Sequence, residues 1–335
     1  MKIGSTLKSY FRLLRPQGAT ATAAAILIGA LIMGQRDINL LAILFFIGIF
    51  SHIYVFVLNE YADINVDQHS HYLQKKPLVM GTISKHQALL IALASLCGAY
   101  ALTLIFFPSF YPLIILTLSF LLASLYDLFG KKIPAGDLFI AGSCSFICLF
   151  GASTVTIKFT PLIFIVACAI FFHILFNNAV EGGLKDVNHD TQAGAKTTAI
   201  RSGVKIVDNQ LITSPQFIVF SYGVKTTYIA LVVLASFQPE INLWHSSERI
   251  VYALMVLLII VMIGSMYMFL NPRLYHRPRL IKMFIVHEIA SYVLGPVILI
   301  PLLGYKYVAF LLFLPIILFL LINIILYGKP MQPLV

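Results

Sequence analysis

The chain has 335 residues, of which 60% are hydrophobic and only 11% are charged. A soluble protein carries charges on about a quarter of its residues, so the composition excludes an ordinary soluble domain. The net charge of +10 accompanies long, continuous apolar runs, and it therefore indicates orientation in a membrane rather than nucleic-acid binding. The four cysteines lie inside apolar runs and are interpreted as packing residues without a disulfide or metal framework. They are Cys97, Cys144, Cys148 and Cys168.

Residues 1–16 contain four basic side chains and end at Pro16, and we expect them to lie along the membrane surface. The many spans that follow favour a retained first helix over a cleaved signal peptide. Apolar runs of about 20 residues then recur, each long enough to cross a bilayer core. They predict an all-α, polytopic transmembrane helical bundle of nine to ten spans, in which residues 1–335 form a single integral-membrane domain. The candidate spans are 18–35, 39–58, 87–107, 110–126, 136–154, 160–180, 216–237, 250–270, 282–301 and 306–327, the last two separated only by a turn around Gly304.

The lysines and arginines are unevenly distributed between the segments that connect these spans. If the N-terminus is cytoplasmic, 18 of the 23 fall in inside segments and four fall outside, with Lys225 within a span. The positive-inside rule therefore predicts a cytoplasmic N-terminus in the cell membrane. The same topology places the two longest hydrophilic stretches, 59–86 and 181–215, on the cytoplasmic side.

Both hydrophilic stretches begin with acidic residues spaced by four. Asn59, Asp63 and Asp67 follow the second span and would share one face of a helix, and Asp186 and Asp190 follow the sixth. Because carboxylates at an apolar mouth need a cation, and hard oxygen ligands suit Mg²⁺, the two motifs predict two halves of one magnesium site. Four aspartates balance two Mg²⁺, which would leave coordination positions for a diphosphate. A polyprenyl diphosphate, with a charged head and an apolar tail, has the matching shape.

At these residues the chain resembles the UbiA superfamily of intramembrane prenyltransferases. The first motif matches the family pattern N-x-x-x-D-x-x-x-D, the segment from Lys76 to Ser84 is similar to R-P-L-P-S-G-x-I-S, and Asp186 and Asp190 match the second D-x-x-x-D. The resemblance covers residues 10–205. Further features that look like those of the family are Arg15-Pro16, Tyr126, Lys131, Lys132 and Lys196.

The resemblance implies a Mg²⁺-dependent transfer of a polyprenyl group from a prenyl diphosphate to an aromatic or lipid-alcohol acceptor, as in quinone or ether-lipid synthesis. It implies that Asn59 and the four motif aspartates hold Mg²⁺, with the aspartates catalytic. The residues that it implies for substrate binding are Arg15, Lys76, Tyr126, Lys131, Lys132 and Lys196. The flanks of the two motifs lean toward different branches of the family, so the acceptor stays open.

Two other functions are weighed against this one. A membrane terpene cyclase would use the same scaffold without an external acceptor. A divalent-cation transporter would need acids near mid-membrane or paired on both sides, whereas the outer acids Asp37, Glu240 and Glu248 form no paired motif. Ionisable residues within spans are functional candidates, and those to which the sequence gives no role are His52, His173, Lys225, His287 and Glu288.

Overall fold

A computed structural model describes residues 3–68, 74, 76–245, 248–271 and 275–328. Nearly all of its regular structure is helical, and one short antiparallel hairpin accompanies the helices. A π-helical segment, Phe176–Gly182, continues α7 into α8, and a 3₁₀ turn covers Leu243–His245. The elements are α1 (Ile3–Leu14), α2 (Pro16–Ile32), α3 (Ile38–Asp67), α4 (Lys85–Phe106), α5 (Phe110–Phe129), α6 (Asp137–Ser153), α7 (Pro161–Leu175), α8 (Gly183–Gln192), α9 (Thr198–Arg201), β1 (Lys205–Val207), β2 (Gln210–Ile212), α10 (Pro215–Ser236), α11 (Arg249–Leu270), α12 (Arg277–Ile298) and α13 (Ile300–Tyr327).

Each of the ten predicted spans falls on a helix. Within the described residues, eight helices are long and apolar enough to cross a membrane, and α6 is a shorter apolar helix of 17 residues. The helix α2 also has 17 residues. The predicted fold class, an all-α integral-membrane bundle, is confirmed, and the count of nine to ten spans is approximate. The predicted surface segment 1–16 coincides with α1, except that residues 1 and 2 lie outside the described part of the chain.

The last two predicted spans meet at a break in the backbone. Gly304 has φ 77° and ψ 160°, which interrupts the helical geometry within α13. A residue with a Cβ atom rarely adopts this conformation, whereas glycine does so without a steric penalty. The single glycine that marked the turn in the sequence is therefore the residue that makes the turn.

Serine side chains cap the N-termini of two helices. Ser84 caps α4 by accepting a hydrogen bond from the backbone N–H of Gln87 (3.2 Å), and the Gln87 side chain accepts one from the Ser84 N–H (2.9 Å). Ser214 caps α10 in the same way through the N–H of Phe217 (3.1 Å), with Pro215 in the first helical position. Such caps satisfy backbone donors that a helix end leaves unpaired.

The chain forms two compact units. Unit 1 comprises Met1–Leu128, Phe146–Phe159 and Phe310–Val335. Within it α3 packs against α2 and α4, and α2 approaches the second half of α6 very closely. A Cβ atom on Gly29 would overlap the carbonyl oxygen of Cys148, and one on Gly151 would overlap the carbonyl oxygen of Ile26. Glycine at both positions is what lets these two helices approach to backbone contact.

Unit 2 comprises Phe129–Ser145 and Thr160–Ala309. Within it α7 packs against α10, and α11 packs against α12. The hairpin pairs Lys205 with Ile212 and turns at Asp208 and Asn209, both with positive φ (48° and 60°). Asn and Asp tolerate this conformation, which a two-residue hairpin turn requires. The carbonyl of Asn209 accepts a hydrogen bond from the N–H of Tyr275 (2.9 Å), which ties the hairpin to the start of α12.

Candidate active site

The first acidic motif lies on a helix rather than in a loop. The helix α3 continues to Asp67, so Asn59, Asp63 and Asp67 occupy one face of its last turns. Asp63 is buried, and Asp67 is only 1% exposed. The predicted hydrophilic stretch 59–86 therefore begins as helix, and its residues 69–73 and 75 lie outside the described residues. Buried carboxylates at the end of an apolar helix need compensating charge close by.

That charge comes from two cations that the sequence assigned to substrate binding. The ammonium of Lys76 lies 2.7 Å from Asp67 Oδ2 and 3.4 Å from Glu60 Oε1. The guanidinium of Arg15 also pairs with Glu60 Oε1. Glu60 thus joins the two cations to each other. Glu60 was not predicted as a site residue, although it directly follows Asn59 in the sequence.

Arg15 itself is held by a histidine. Its backbone is left-handed (φ 46°, ψ 52°), a conformation that is uncommon for a residue with a side chain. His52 Nε2 donates to the Arg15 carbonyl oxygen (2.9 Å), and the Thr22 hydroxyl donates to His52 Nδ1 (3.2 Å). A carbonyl oxygen can only accept, which fixes these donor roles for a neutral imidazole. His52 is therefore a positioning residue for Arg15.

A further carboxylate, Asp127 at the end of α5, meets the first motif. Its side chain interacts with Asn59 and with the carboxylate of Asp63. The residue is 5% exposed, and neither carboxylate oxygen makes a hydrogen bond of good geometry. Tyr126, the predicted substrate contact, precedes it on the same helix. We call the following residues the first cluster: Arg15, Asn59, Glu60, Asp63, Asp67, Lys76 and Asp127.

The second motif lies on α8 in unit 2. Asp186 Oδ1 accepts a hydrogen bond from the guanidinium of Arg277 (3.0 Å), and its Oδ2 lies 3.4 Å from the Lys185 ammonium. The buried Asp190 carboxylate lies 3.4 Å from His189 Nε2. Arg277 is 91 positions from Asp186, and no local pattern in the sequence predicts this pair. We call these five residues the second cluster.

Three predicted phosphate-binding lysines lie close together along the backbone of unit 2. The N–H of Lys196 donates to the carbonyl oxygen of Lys131 (2.9 Å), so the loop after α5 runs beside the loop after α8. The exposed ammonium of Lys132 lies 5.7 Å from the ring centre of Phe129. The structure therefore brings Lys131, Lys132 and Lys196 into one neighbourhood, and it brings Arg15 and Lys76 to the first motif. That both motifs grip one substrate stays a prediction.

Across the described ranges, no group of three or more His, Cys, Asp or Glu side chains is arranged to hold a metal ion by itself. The carboxylates of the first cluster, Glu60, Asp63, Asp67 and Asp127, nevertheless outnumber its two cations by two. Its formal charge of −2 in a buried setting attracts a cation.

The chain is similar to known proteins in its sequence. A model of the UbiA prenyltransferase family matches residues 21–287. A 4-hydroxybenzoate octaprenyltransferase of Nitrosomonas eutropha is 32% identical over 150 residues, which cover 44% of this chain and 50% of that protein. The chain spans about half the length of the curated relatives it matches.

Solved structures share the fold. An apo UbiA homologue from Aeropyrum pernix K1 aligns with a TM-score of 0.66 and 15% identity, covering 85% of this chain and 98% of that one. A UbiA homologue from Archaeoglobus fulgidus bound to GPP and Mg²⁺ aligns with a TM-score of 0.60 and 17% identity, covering 88% and 99%. With a family model that spans most of the sequence and a matching helical fold, the chain belongs to the UbiA prenyltransferase family.

Proposed function

We propose that the protein is a Mg²⁺-dependent prenyltransferase, which moves a polyprenyl group from a prenyl diphosphate to an aromatic or lipid-alcohol acceptor. Both clusters would act on the same diphosphate from the cytoplasmic side of the membrane. The support for this pairing is the equal spacing of the two motifs and their predicted topology. The family membership and the GPP and Mg²⁺ bound to the A. fulgidus homologue agree with it.

The observation that carries the proposal is the composition of the first cluster. It places carboxylates and cations side by side at the end of an apolar helix. Carboxylates alone would repel a diphosphate, and cations alone would need no metal. The mixture suits a metal–diphosphate complex, in which the acids hold the metal and the guanidinium and ammonium groups hold phosphate oxygens.

The donor set fits Mg²⁺ in particular. Mg²⁺ usually keeps several waters and binds one or two carboxylates plus substrate phosphates, rather than a cage of protein ligands. Asp63 and Asp127, with the amide of Asn59, offer such a partial set of hard oxygen donors. Asp127 brings two buried oxygens without hydrogen bonds of good geometry. When bound, the metal would neutralise the charge that develops on the departing diphosphate.

The cations of the chain have a separate task in this proposal. Arg15 and Lys76 are already oriented by Glu60 and Asp67, so they meet the diphosphate without losing rotamer freedom at that moment. Lys131, Lys132 and Lys196, which the family resemblance implies for substrate binding, would contact further phosphate oxygens. The relatives that carry the name 4-hydroxybenzoate octaprenyltransferase favour an aromatic acceptor.

The test is turnover of radiolabelled geranylgeranyl diphosphate by the purified protein with Mg²⁺ and a panel of aromatic and lipid-alcohol acceptors. We expect label to pass to an acceptor, and we expect chelation of the metal or Asp63→Ala or Asp190→Ala to abolish transfer. Asp208→Asn, in the exposed hairpin turn, is the matched control. Cyclised hydrocarbon would indicate a terpene cyclase, and metal flux into liposomes without turnover would indicate a transporter.

Metal binding has a readout that does not depend on turnover. Mn²⁺, which substitutes for Mg²⁺ and is visible by electron paramagnetic resonance, should bind the wild-type protein in the presence of diphosphate. Asp63→Ala and Asp127→Asn should each weaken that binding, whereas Asp208→Asn should not. Equal Mn²⁺ affinity in all four proteins would contradict the metal role of the first cluster.

A further inference from the structure

A second group of ionisable side chains lies in the interior of unit 2, within the helices rather than at their ends. It consists of His173 on α7, Glu181 in the π-helical segment, Lys225 on α10 and Glu288 on α12. We call it the buried ionic cluster. Each residue belongs to a helix that is long and apolar enough to span a membrane. Ionisable groups at such positions are costly and typically functional.

The four side chains form one electrostatic group. Glu288 Oε1 accepts a hydrogen bond from Asn177 Nδ2 (2.7 Å) and lies 3.4 Å from His173 Nε2. Glu181 interacts electrostatically with both Glu288 and Lys225. Three buried atoms lack a hydrogen-bond partner: Glu181 Oε1, Glu288 Oε2 and His173 Nδ1. Each of these atoms can accept a proton or a hydrogen bond.

Aromatic rings close the cluster on one side. The ammonium of Lys225, which is 0% exposed, lies 4.1 Å from the ring centre of Phe176 and donates to Ser291 Oγ (3.1 Å). The ring of Phe176 stacks on His287 at 5.0 Å. Neighbouring side chains, rather than water, therefore surround the ammonium of Lys225, and the carboxylate of Glu181 interacts with its charge.

The charges of the cluster do not balance. Two carboxylates, Glu181 and Glu288, interact with one ammonium, that of Lys225, so acids outnumber the lysine by one. An uncompensated charge in an apolar interior is strongly unfavourable, and two neighbouring carboxylates favour sharing a proton. Glu181 is 7% exposed, whereas the Glu288 side chain is 39% exposed. Glu288 is therefore the more exposed of the two carboxylates, and Glu181 is the more buried.

The backbone links this cluster to the second acidic motif. The seven residues Phe176–Gly182 form a π-helix, which carries Glu181 and leads directly into α8 with Asp186. π-helical turns are rare and occur frequently at functional sites. Glu181 also interacts electrostatically with Lys185, the residue that pairs with Asp186. One helix thus connects the proton-binding group to the candidate active site.

We propose that the buried ionic cluster is a proton relay, in which Glu181 takes up the proton that the acceptor loses and Glu288 releases it. This role rests on the proposed function. As the bond from the allylic carbon to the acceptor forms, the C–O bond to diphosphate breaks and its electron pair leaves with the diphosphate. The acceptor then loses one proton, from a ring carbon or a hydroxyl, and the Glu181 carboxylate accepts it. The titratable or charged groups around the relay are His173, Lys185, Lys225, Tyr228 and His287.

The first test needs no turnover. Infrared spectroscopy of the purified full-length protein in detergent, titrated with acid, should show the C=O band of a protonated carboxylic acid. We expect Glu181→Gln to remove or shift this band, Glu288→Gln to shift it, and Asp208→Asn to leave it unchanged. An identical band in all four proteins, or no band over the pH range in which the protein stays folded, would overturn the relay.

The second test is the pH dependence of turnover. Because a positioned proton acceptor typically contributes about 10²–10⁴-fold, Glu181→Gln should lower kcat by roughly 100-fold or more and alter its pH profile. Binding of geranylgeranyl diphosphate should be unchanged, and Glu181→Asp should restore part of the rate. A wild-type pH profile and kcat in both Glu181→Gln and Glu288→Gln would refute the role. A wild-type protein that shows the band but transfers no label contradicts the proposed function, and not the proton site.

Discussion

Replacing Glu60 by glutamine tests whether the first cluster is an ion network or a set of independent side chains. Glu60 is buried, pairs with Arg15 and lies 3.4 Å from the Lys76 ammonium. Glutamine keeps the shape and the acceptor oxygen but removes the charge. Arg15 and Lys76 then lose the negative charge that they share, although Lys76 keeps its contact with Asp67 (2.7 Å).

The expected loss of folding stability follows from the contacts of Glu60 with Arg15 and Lys76. In Glu60→Gln the donors stay charged and only the acceptor becomes neutral, so each contact keeps part of the about 1.5–3 kcal/mol of a hydrogen bond to a charged group. We expect each contact to lose about 1 kcal/mol, and Glu60→Gln to lower stability by about 2 kcal/mol. Removing one partner of a buried pair outright costs about 3–5 kcal/mol, which is the expectation for Glu60→Ala.

Thermal unfolding in one detergent measures these differences. A loss of 1 kcal/mol lowers the Tm of a unit of this size by about 2–4 °C, so Glu60→Gln should unfold roughly 4–8 °C below wild type. The cycle of Glu60→Gln with Lys76→Met should show a coupling of about 0.5–3 kcal/mol. Strictly additive effects, or a Glu60→Gln protein as stable as Asp208→Asn, would refute the network.

Two further predictions concern packing and the second cluster. Gly151→Ala should destabilise the protein by about 1–3 kcal/mol through overpacking, because its Cβ would overlap the Ile26 carbonyl. Gly264→Ala, where a Cβ meets nothing within 4 Å, should instead stabilise α11 by about 0.5–1 kcal/mol, and thermal unfolding of both variants checks the pair. Tyr275→Phe removes the hydrogen bond from its hydroxyl to the Lys185 carbonyl (2.8 Å) and should cost about 1 kcal/mol. Faster amide hydrogen exchange along α8 would report that loss, and unchanged exchange would contradict it.

The sequence predicted the fold because membrane helices obey a rule that is local in the chain. A run of about 20 apolar residues can satisfy its backbone only as a helix when lipid surrounds it. The predicted spans therefore coincide with helices, and Gly304 marks a real break. Periodicity could not predict the π-helical segment between α7 and α8, because seven residues are too few to change the apolar pattern of the long helix. The motif helices extend past the apolar runs, to Asp67 and to Gln192, and the spacing of the acids by four, rather than apolar periodicity, indicated this for the first motif.

The sequence predicted several residues of the candidate site, but not which side chains pair with one another. Spacing by four predicted that Asn59, Asp63 and Asp67 share one helix face, and in the structure all three lie on α3. The partners of the motif residues lie far away in the chain, such as Arg277 for Asp186, and no local pattern encodes them. Asp127 could have been identified from the sequence, because a carboxylate at the end of an apolar run is costly and is often functional.

The distribution of charge argues for cations as ligands of this chain. The sequence has a net charge of +10, yet two of its groups of ionisable side chains contain an excess of carboxylates. The first cluster has two more carboxylates than cations and the buried ionic cluster has two carboxylates for one lysine, while basic residues such as Lys132 and Lys196 are exposed. Acidic residues contribute little to membrane orientation, so the excess of carboxylates in these two groups is better explained by cations that they bind. A divalent metal at the first cluster and a proton at the buried ionic cluster would each supply positive charge that offsets the excess of carboxylates.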